Sequence, residues 1–109
     1  MIVAFSLAPS GGASASEDGA VHEAVAAAVG VVRASGLPNQ TSSMFTEIEG
    51  DWDSCMTVIR AATEAVLPFG TRVSLVIKAD IRPGRTGEMA GKVDRLETAL
   101  LSASNGLVE

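Results

Sequence analysis

The order of the predicted elements, β-α-β(β)-α-β-α, places this chain of 109 residues in the α+β class. Two observations predict that class. Apolar residues recur with a helical period in three segments, and they alternate with polar residues in the extended segments between them. Glycine and proline mark most of the boundaries. The length predicts a single domain over residues 1–109 with one hydrophobic core.

The chain opens with a short predicted strand, Ile2 to Ala8, which ends before Pro9. The Gly-rich loop at residues 10–14 lies where a phosphate-binding turn would lie, between a strand and a helix. It carries no lysine and matches neither common phosphate-binding motif, so we interpret it as a flexible connection.

The first helix has a capping box at its start and a glycine at its end. Ser14 and Glu17 have capping-box spacing, and Ser16 is an alternative cap. Gly36 stands where the residue after a helix is expected. The apolar residues between them fall on one helical face: Val21, Val25, Ala28, Val29 and Val32.

The middle of the chain, Gln40 to Glu49, reads as extended structure, either two short strands or one bent strand. Its later residues alternate, so Met44, Thr46 and Ile48 face one way. Phe45, Glu47 and Glu49 face the other way. Asp51 is then predicted to cap a second helix, whose apolar face is formed by Trp52, Met56, Ile59, Ala62 or Thr63, and Val66.

The segment from Arg72 to Arg82 is the clearest strand. Its apolar face is Val73, Leu75, Ile77, Ala79 and Ile81, and its other face is Ser74, Val76, Lys78 and Asp80. A third helix, capped by Thr86, follows and has an apolar stripe. We call Met89, Val93, Leu96 and Leu100 the α3 stripe, and predict it to be buried against the sheet or a neighbouring subunit. The tail after Gly106 is predicted to fray.

Without its last helix, this order is the ferredoxin-like βαββαβ sandwich, to which the chain adds a C-terminal helix. Two helices are predicted to cover one face of an antiparallel sheet. The other face, which carries Ile2 and Val76 beside polar groups, is left open for a partner, a ligand or the last helix.

Composition excludes several function classes. The net charge is −5, which argues against a nucleic-acid partner. The chain shows neither a signal peptide nor an apolar run long enough to span a bilayer, so we expect a cytoplasmic protein without a membrane partner. His22 reads as a surface residue and Cys55 as a buried, unreactive thiol. With no constellation for catalysis and no metal-ligand spacing, we expect no enzyme, no metal and no cofactor.

Three stretches resemble a known family. The chain begins MIVAFSLAP, residues 46–53 read TEIEGDWD, and residues 73–82 read VSLVIKADIR, with MAGKV at 89–93. These are similar to the T-x-I-E-G-x-W-[DE], V-S-x-x-I-K-[IL]-D-x-R and M-x-G-K-V motifs of the MTH1187/YkoF-like proteins, also described as UPF0045 or thiamine-binding proteins. The resemblance spans nearly the whole chain. One departure is SSMFT at 42–46, where members often have G-P-M-G-T, and it implies that Phe45 narrows the pocket.

The resemblance implies a ferredoxin-like fold and a small homo-oligomer, a dimer or tetramer paired through its sheets, that binds thiamine or hydroxymethylpyrimidine as a ligand. The cationic thiazolium of thiamine needs a carboxylate nearby, and the two rings of thiamine need an apolar wall. The candidate ligand-binding residues are Ser6, Phe45, Thr46, Glu47, Glu49, Lys78 and Asp80.

Two alternatives stay open at this point. The same glutamates fit solvated strand positions, and Lys78 with Asp80 fits a same-face ion pair. By alternation Thr46 faces away from Glu47 and Glu49, so one pocket holds all three only if the strand bends. The alternative function is a regulatory or scaffold module whose open sheet face mainly serves oligomerisation.

Overall fold

A computed structural model describes residues 1–11 and 18–108. The predicted capping residues of the first helix, Ser14, Ser16 and Glu17, lie outside these ranges. In chain order the elements are β1 (Ile2–Ser10), α1 (Asp18–Ala34), β2 (Asn39–Thr41), β3 (Thr46–Glu49), α2 (Trp52–Val66), a 3₁₀ turn (Leu67–Phe69), β4 (Arg72–Asp80) and α3 (Glu88–Val108).

The four strands form one antiparallel sheet in the order β2-β3-β1-β4. This confirms the predicted ferredoxin-like α+β fold with an additional C-terminal helix. The extended segment before α2 is two short strands, one of the two interpretations that the sequence allowed. β1 is the centre of the sheet, because it pairs with β3 over Ile2–Phe5 and with β4 along its whole length.

The core lies between the sheet and the helices α1 and α2. On the sheet side, Val3, Phe5 and Ile48 are at most 2% exposed. The helices contribute mostly small residues, as the composition predicts: Ala24, Ala28, Val32, Cys55, Val58, Ile59, Ala62 and Val66. Burial of these apolar side chains fixes the helices on this face.

Two strand ends differ from the prediction. β1 continues through Pro9 to Ser10, because β3 leaves β1 after Phe5 and a proline is tolerated where one side of a strand is unpaired. β4 ends at Asp80 instead of Arg82. The next residues form a tight turn, in which the Arg85 N–H donates to the Arg82 carbonyl at 3.1 Å.

The helix caps are partly as predicted. Asp51 caps α2, since its Oδ1 accepts the Ser54 N–H at 2.7 Å. Gly36 follows α1 with the expected positive φ of 79°. The prediction for Thr86 was wrong: α3 begins at Glu88, and the Gly87 carbonyl accepts the Gly91 N–H. α3 also continues through the predicted frayed tail to Val108.

The α3 stripe is not buried against its own sheet. Met89 is partly buried, but Val93, Leu96 and Leu100 are 50–57% exposed. The helix is 21 residues long and projects from the sheet, which gives the chain a longest dimension of 61 Å. Within the described ranges, no helix combines the length and the apolar character needed to cross a membrane.

Candidate functional site

A row of three residues crosses the sheet on the face opposite α1 and α2, which we call the open face. Ala4 of β1 pairs with Glu47 of β3 on one side and with Lys78 of β4 on the other. Paired residues of neighbouring strands point to the same face, so all three side chains share it. A carboxylate and an ammonium therefore flank a methyl group, and the small side chain of Ala4 leaves space above it.

The next row is Glu49, Ile2 and Asp80, and α3 begins above it. The Glu49 carboxylate accepts the Glu88 N–H at 2.7 Å and the Met89 N–H at 3.3 Å, so it caps the helix. About one turn later Lys92 forms an ion pair with Asp80. These contacts hold the first turns of α3 over one end of the open face.

A half-open cavity of about 690 Å³, which we call the open-face cavity, lies beside these rows and the first turns of α3. That volume lies in the range of small-molecule sites. Its floor comes from β1 and β4, its sides from β3 and the turn before it, and its roof from α3. The lining residues are Ile2, Ala4, Gln40, Ser42, Phe45, Glu47, Lys78, Ala79, Asp80, Met89, Lys92 and Val93.

The cavity brings together Phe45, Glu47, Lys78 and Asp80, all named from the sequence. Ser6 and Thr46 do not line it; both border a smaller crevice of about 90 Å³. Thr46 pairs with Phe5 and points to the helix-covered face, so the strand does not bend to unite it with the glutamates. Phe45 lies in the cavity wall, and its narrowing of a ligand pocket stays a prediction.

Glu49 has a different position from Glu47, although both point to the open face. Its side chain is buried by α3, its residue is only 8% exposed, and both carboxylate oxygens accept helix N–H groups. It does not line the open-face cavity. Asp80 is paired with Lys92 instead of Lys78.

Several cavity residues were not named from the sequence. Ile2 and Ala4 follow from the alternation of β1, which puts them beside Glu47 once the pairing with β3 is known. Gln40 and Ser42 belong to β2 and its turn, where no periodic signal exists. Lys92 and Val93 come from α3, and nothing in the local sequence shows that the helix start is fixed to Glu49.

A second cavity, of about 600 Å³, lies between the start of α2 and the loop from β4 to α3. Trp52 borders it and is 56% exposed. Its cationic residues Arg82 and Arg85 are directed to Glu88, at 3.7 and 3.4 Å. Arg95 also contacts Glu88, at 2.8 Å, so this cluster mainly secures the loop and the base of α3.

The charges of this cluster set the ionisation of Glu88. The hydrogen bond from the Arg95 guanidinium, together with Arg85, holds the pKa of Glu88 below its ordinary value of 4.5. The carboxylate is therefore charged at neutral pH.

The remaining reactive side chains lie away from the open face. Cys55 is fully buried in the core, and burial raises the pKa of its thiol, which leaves it protonated and unreactive at neutral pH. His22 is exposed on α1. Both positions are as predicted, and neither side chain lines the open-face cavity.

The fold and this cavity can be compared with known proteins. The family model described as thiamine-binding protein matches residues 3–97. A UPF0045 protein of Mycobacterium bovis is 50% identical over 102 residues, which cover 93% of this chain and 95% of that protein. The chain belongs to the UPF0045 thiamine-binding protein family. The resemblance found in the sequence motifs is thereby confirmed.

Solved structures of similar proteins share the fold of this family member. A Methanocaldococcus jannascii protein has a TM-score of 0.73 at 28% identity, over 88% of this chain and 94% of its own. A Thermotoga maritima protein, described as a candidate thiamine biosynthesis or salvage protein, has a TM-score of 0.70 at 24% identity, over 87% and 96%. At that identity the second likeness concerns the fold alone.

Proposed function

We propose that this chain binds thiamine, or its pyrimidine part, reversibly and without chemical turnover in the open-face cavity. The observation that carries the proposal is the Glu47–Ala4–Lys78 row. Within the described residues, neither Glu47 nor Lys78 forms an ion pair. A carboxylate without a partner beside an apolar floor fits a ligand that brings its own cation.

The other lining residues fit the rest of the molecule. Phe45 and Val93 offer apolar surface to a ring, and an aromatic face near a cation adds about 0.5–2 kcal/mol. Gln40 and Ser42 offer donors and acceptors for an aminopyrimidine edge. The family description, thiamine-binding protein, supports a binding role over a catalytic one.

Calorimetry with the Glu47→Gln variant tests the proposal. The substitution keeps the shape of the side chain and removes its charge, so the affinity for thiamine should fall at least about tenfold, or about 1.4 kcal/mol. Glu23→Gln is the matched control, because Glu23 is exposed on α1, on the other side of the sheet. If the unmodified protein gives no heat with thiamine, the ligand is wrong. If the Glu47→Gln variant binds thiamine as tightly as the Glu23→Gln control and the unmodified protein do, the role of Glu47 is wrong.

A second proposal, self-association, rests on the exposed apolar surface. Val93, Leu96 and Leu100 form a continuous stripe, and Val76 of β4 is 50% exposed on the open face. β4 is also an edge strand. We therefore infer a dimer or tetramer in solution; a scattering mass equal to the 11.1 kDa chain would contradict this. Should thiamine not bind, an oligomeric scaffold is the function that this surface favours. The cytoplasmic location stays a prediction.

A further inference from the structure

The chain has two lysines, and both line the open-face cavity. Lys78 comes from β4 and Lys92 from α3. The other basic side chains of the chain are six arginines, and the cavity lining includes none of them. Two ammonium groups therefore lie at one cavity in a chain whose net charge is −5.

The two lysines differ in their partners. Lys92 is neutralised by Asp80. Lys78 forms no ion pair with any described residue, and the carboxylate in its own row, Glu47, is separated from it by the whole width of β1. With strands about 4.8 Å apart, the Cα atoms of Glu47 and Lys78 lie roughly 10 Å apart.

A free ammonium does not suit a ligand that is only a cation. It repels thiamine, and this repulsion is strengthened when the ligand excludes water. The repulsion becomes attraction when the ligand carries an anionic group at its other end. A carboxylate and an ammonium on opposite sides of a small residue match a ligand with charges of both signs.

We propose that the preferred ligand of the open-face cavity is a phosphate ester of thiamine, with the thiazolium toward Glu47 and the phosphate toward Lys78. The inference rests on the proposed function and adds the ligand's anionic group to it. Lysine binds phosphate as a point charge that needs no fixed orientation.

Calorimetry on the full chain at constant ionic strength tests this with three probes: thiamine, thiamine monophosphate and inorganic phosphate. The ester should bind at least about tenfold more tightly than thiamine, and inorganic phosphate should bind far more weakly than the ester. Added salt should reduce the preference for the ester, because it screens the phosphate–lysine attraction.

Lys78→Met should lower the affinity for the ester at least about tenfold and leave the affinity for thiamine equal or higher. Lys78→Arg should keep the preference, since it keeps the charge. Arg72→Met is the matched control. Arg72 lies on the same strand as Lys78 and, being six residues away, points to the same face at a distance of about 20 Å. It should change neither affinity.

The outcomes separate this inference from the proposed function. If thiamine binds and its ester binds equally or more weakly, only the inference is wrong. If neither binds, both are wrong. Equal binding of ester and inorganic phosphate would indicate a general anion site instead. If a folded Lys78→Met variant lost the same affinity for thiamine as for its phosphate ester, the proposed role of the Lys78 charge would be wrong. If that variant does not fold, the inference is tested on the unmodified protein, by the ratio of its affinities for the ester and for thiamine and by the dependence of that ratio on salt.

Discussion

The two faces of the sheet are made by the same strands but differ in what covers them. On the helix-covered face, Val3 and Ile48 are fully buried among side chains of α1 and α2. On the open face, the neighbours of these residues, Ala4 and Glu47, line a cavity. One step along β1 or β3 therefore separates a buried core residue from one that lines the open-face cavity.

The two faces differ in the residue types that they can hold without loss of stability. The fully buried positions of the covered face, such as Val3 and Ile48, must be apolar, since a buried polar group without a partner costs free energy. The open face has no such requirement, and it carries charges of both signs around one small residue. Its only extensive cover within the described chain is the start of α3.

Equal substitutions on the two faces should have unequal effects on stability. Val3→Ala removes two buried methyl groups and should lower the free energy of unfolding by about 1–3 kcal/mol, which urea denaturation measures. Val76→Ala makes the same change at a half-exposed open-face position and should cost no more than about 0.5 kcal/mol at low protein concentration. A loss at Val76 as large as at Val3, independent of protein concentration, would show that the open face is also packed within the chain.

The fold was largely predictable because its signals are local. Alternation in β4 and the caps Asp51 and Gly36 each act within a few residues, and the structure confirms them. The site depends on long-range contacts. Glu49 and Glu47 look alike in the sequence, yet the approach of α3 from 39 residues away gives Glu49 a capping role. Lys92 lines the cavity because α3 lies over the open face, and no periodic pattern in the sequence predicts that position of α3.

The cap from Glu49 should be the main attachment of α3 to the sheet. Glu49→Gln removes a charged acceptor from two helix N–H groups and should lower the free energy of unfolding by about 1–2 kcal/mol. Amide exchange should accelerate at Glu88 and Met89 before the core is affected. Glu97→Gln, an exposed change on the same helix, is the control. Unchanged exchange at both amides in the Glu49 variant would contradict the capping role.

Acid should loosen the base of α3 through Glu88. The pKa of Glu88 is lowered in the folded chain by Arg95 and then Arg85, so its ion pairs stabilise the fold above the unfolded-state pKa. That stability is lost as the pH falls through the lower, folded-state pKa. Denaturation measured from about pH 7 down to about pH 3 should show a shallower loss of stability for Glu88→Gln.

The free energy of unfolding of the Glu88→Gln variant should still depend on pH to some extent. The Ser54 backbone N–H and side chain hold the pKa of Asp51 low in the same direction. The same slope for the variant and the unmodified protein would mean that the arginine cluster does not stabilise the fold.

The smallest change in single-chain stability is expected on the α3 stripe. Leu96 is 57% exposed, so Leu96→Ala should alter the free energy of unfolding by no more than about 0.5 kcal/mol when the protein is dilute enough to be monomeric. A buried leucine would cost about 2–5 kcal/mol for the same change. If copies of the chain associate through this stripe, the cost should grow with protein concentration, because assembly stabilises only the folded state. Denaturation at several concentrations, with scattering on the same samples, separates these cases. A large loss at every concentration would place the stripe against its own sheet, and a small loss at every concentration would remove it from the interface between copies.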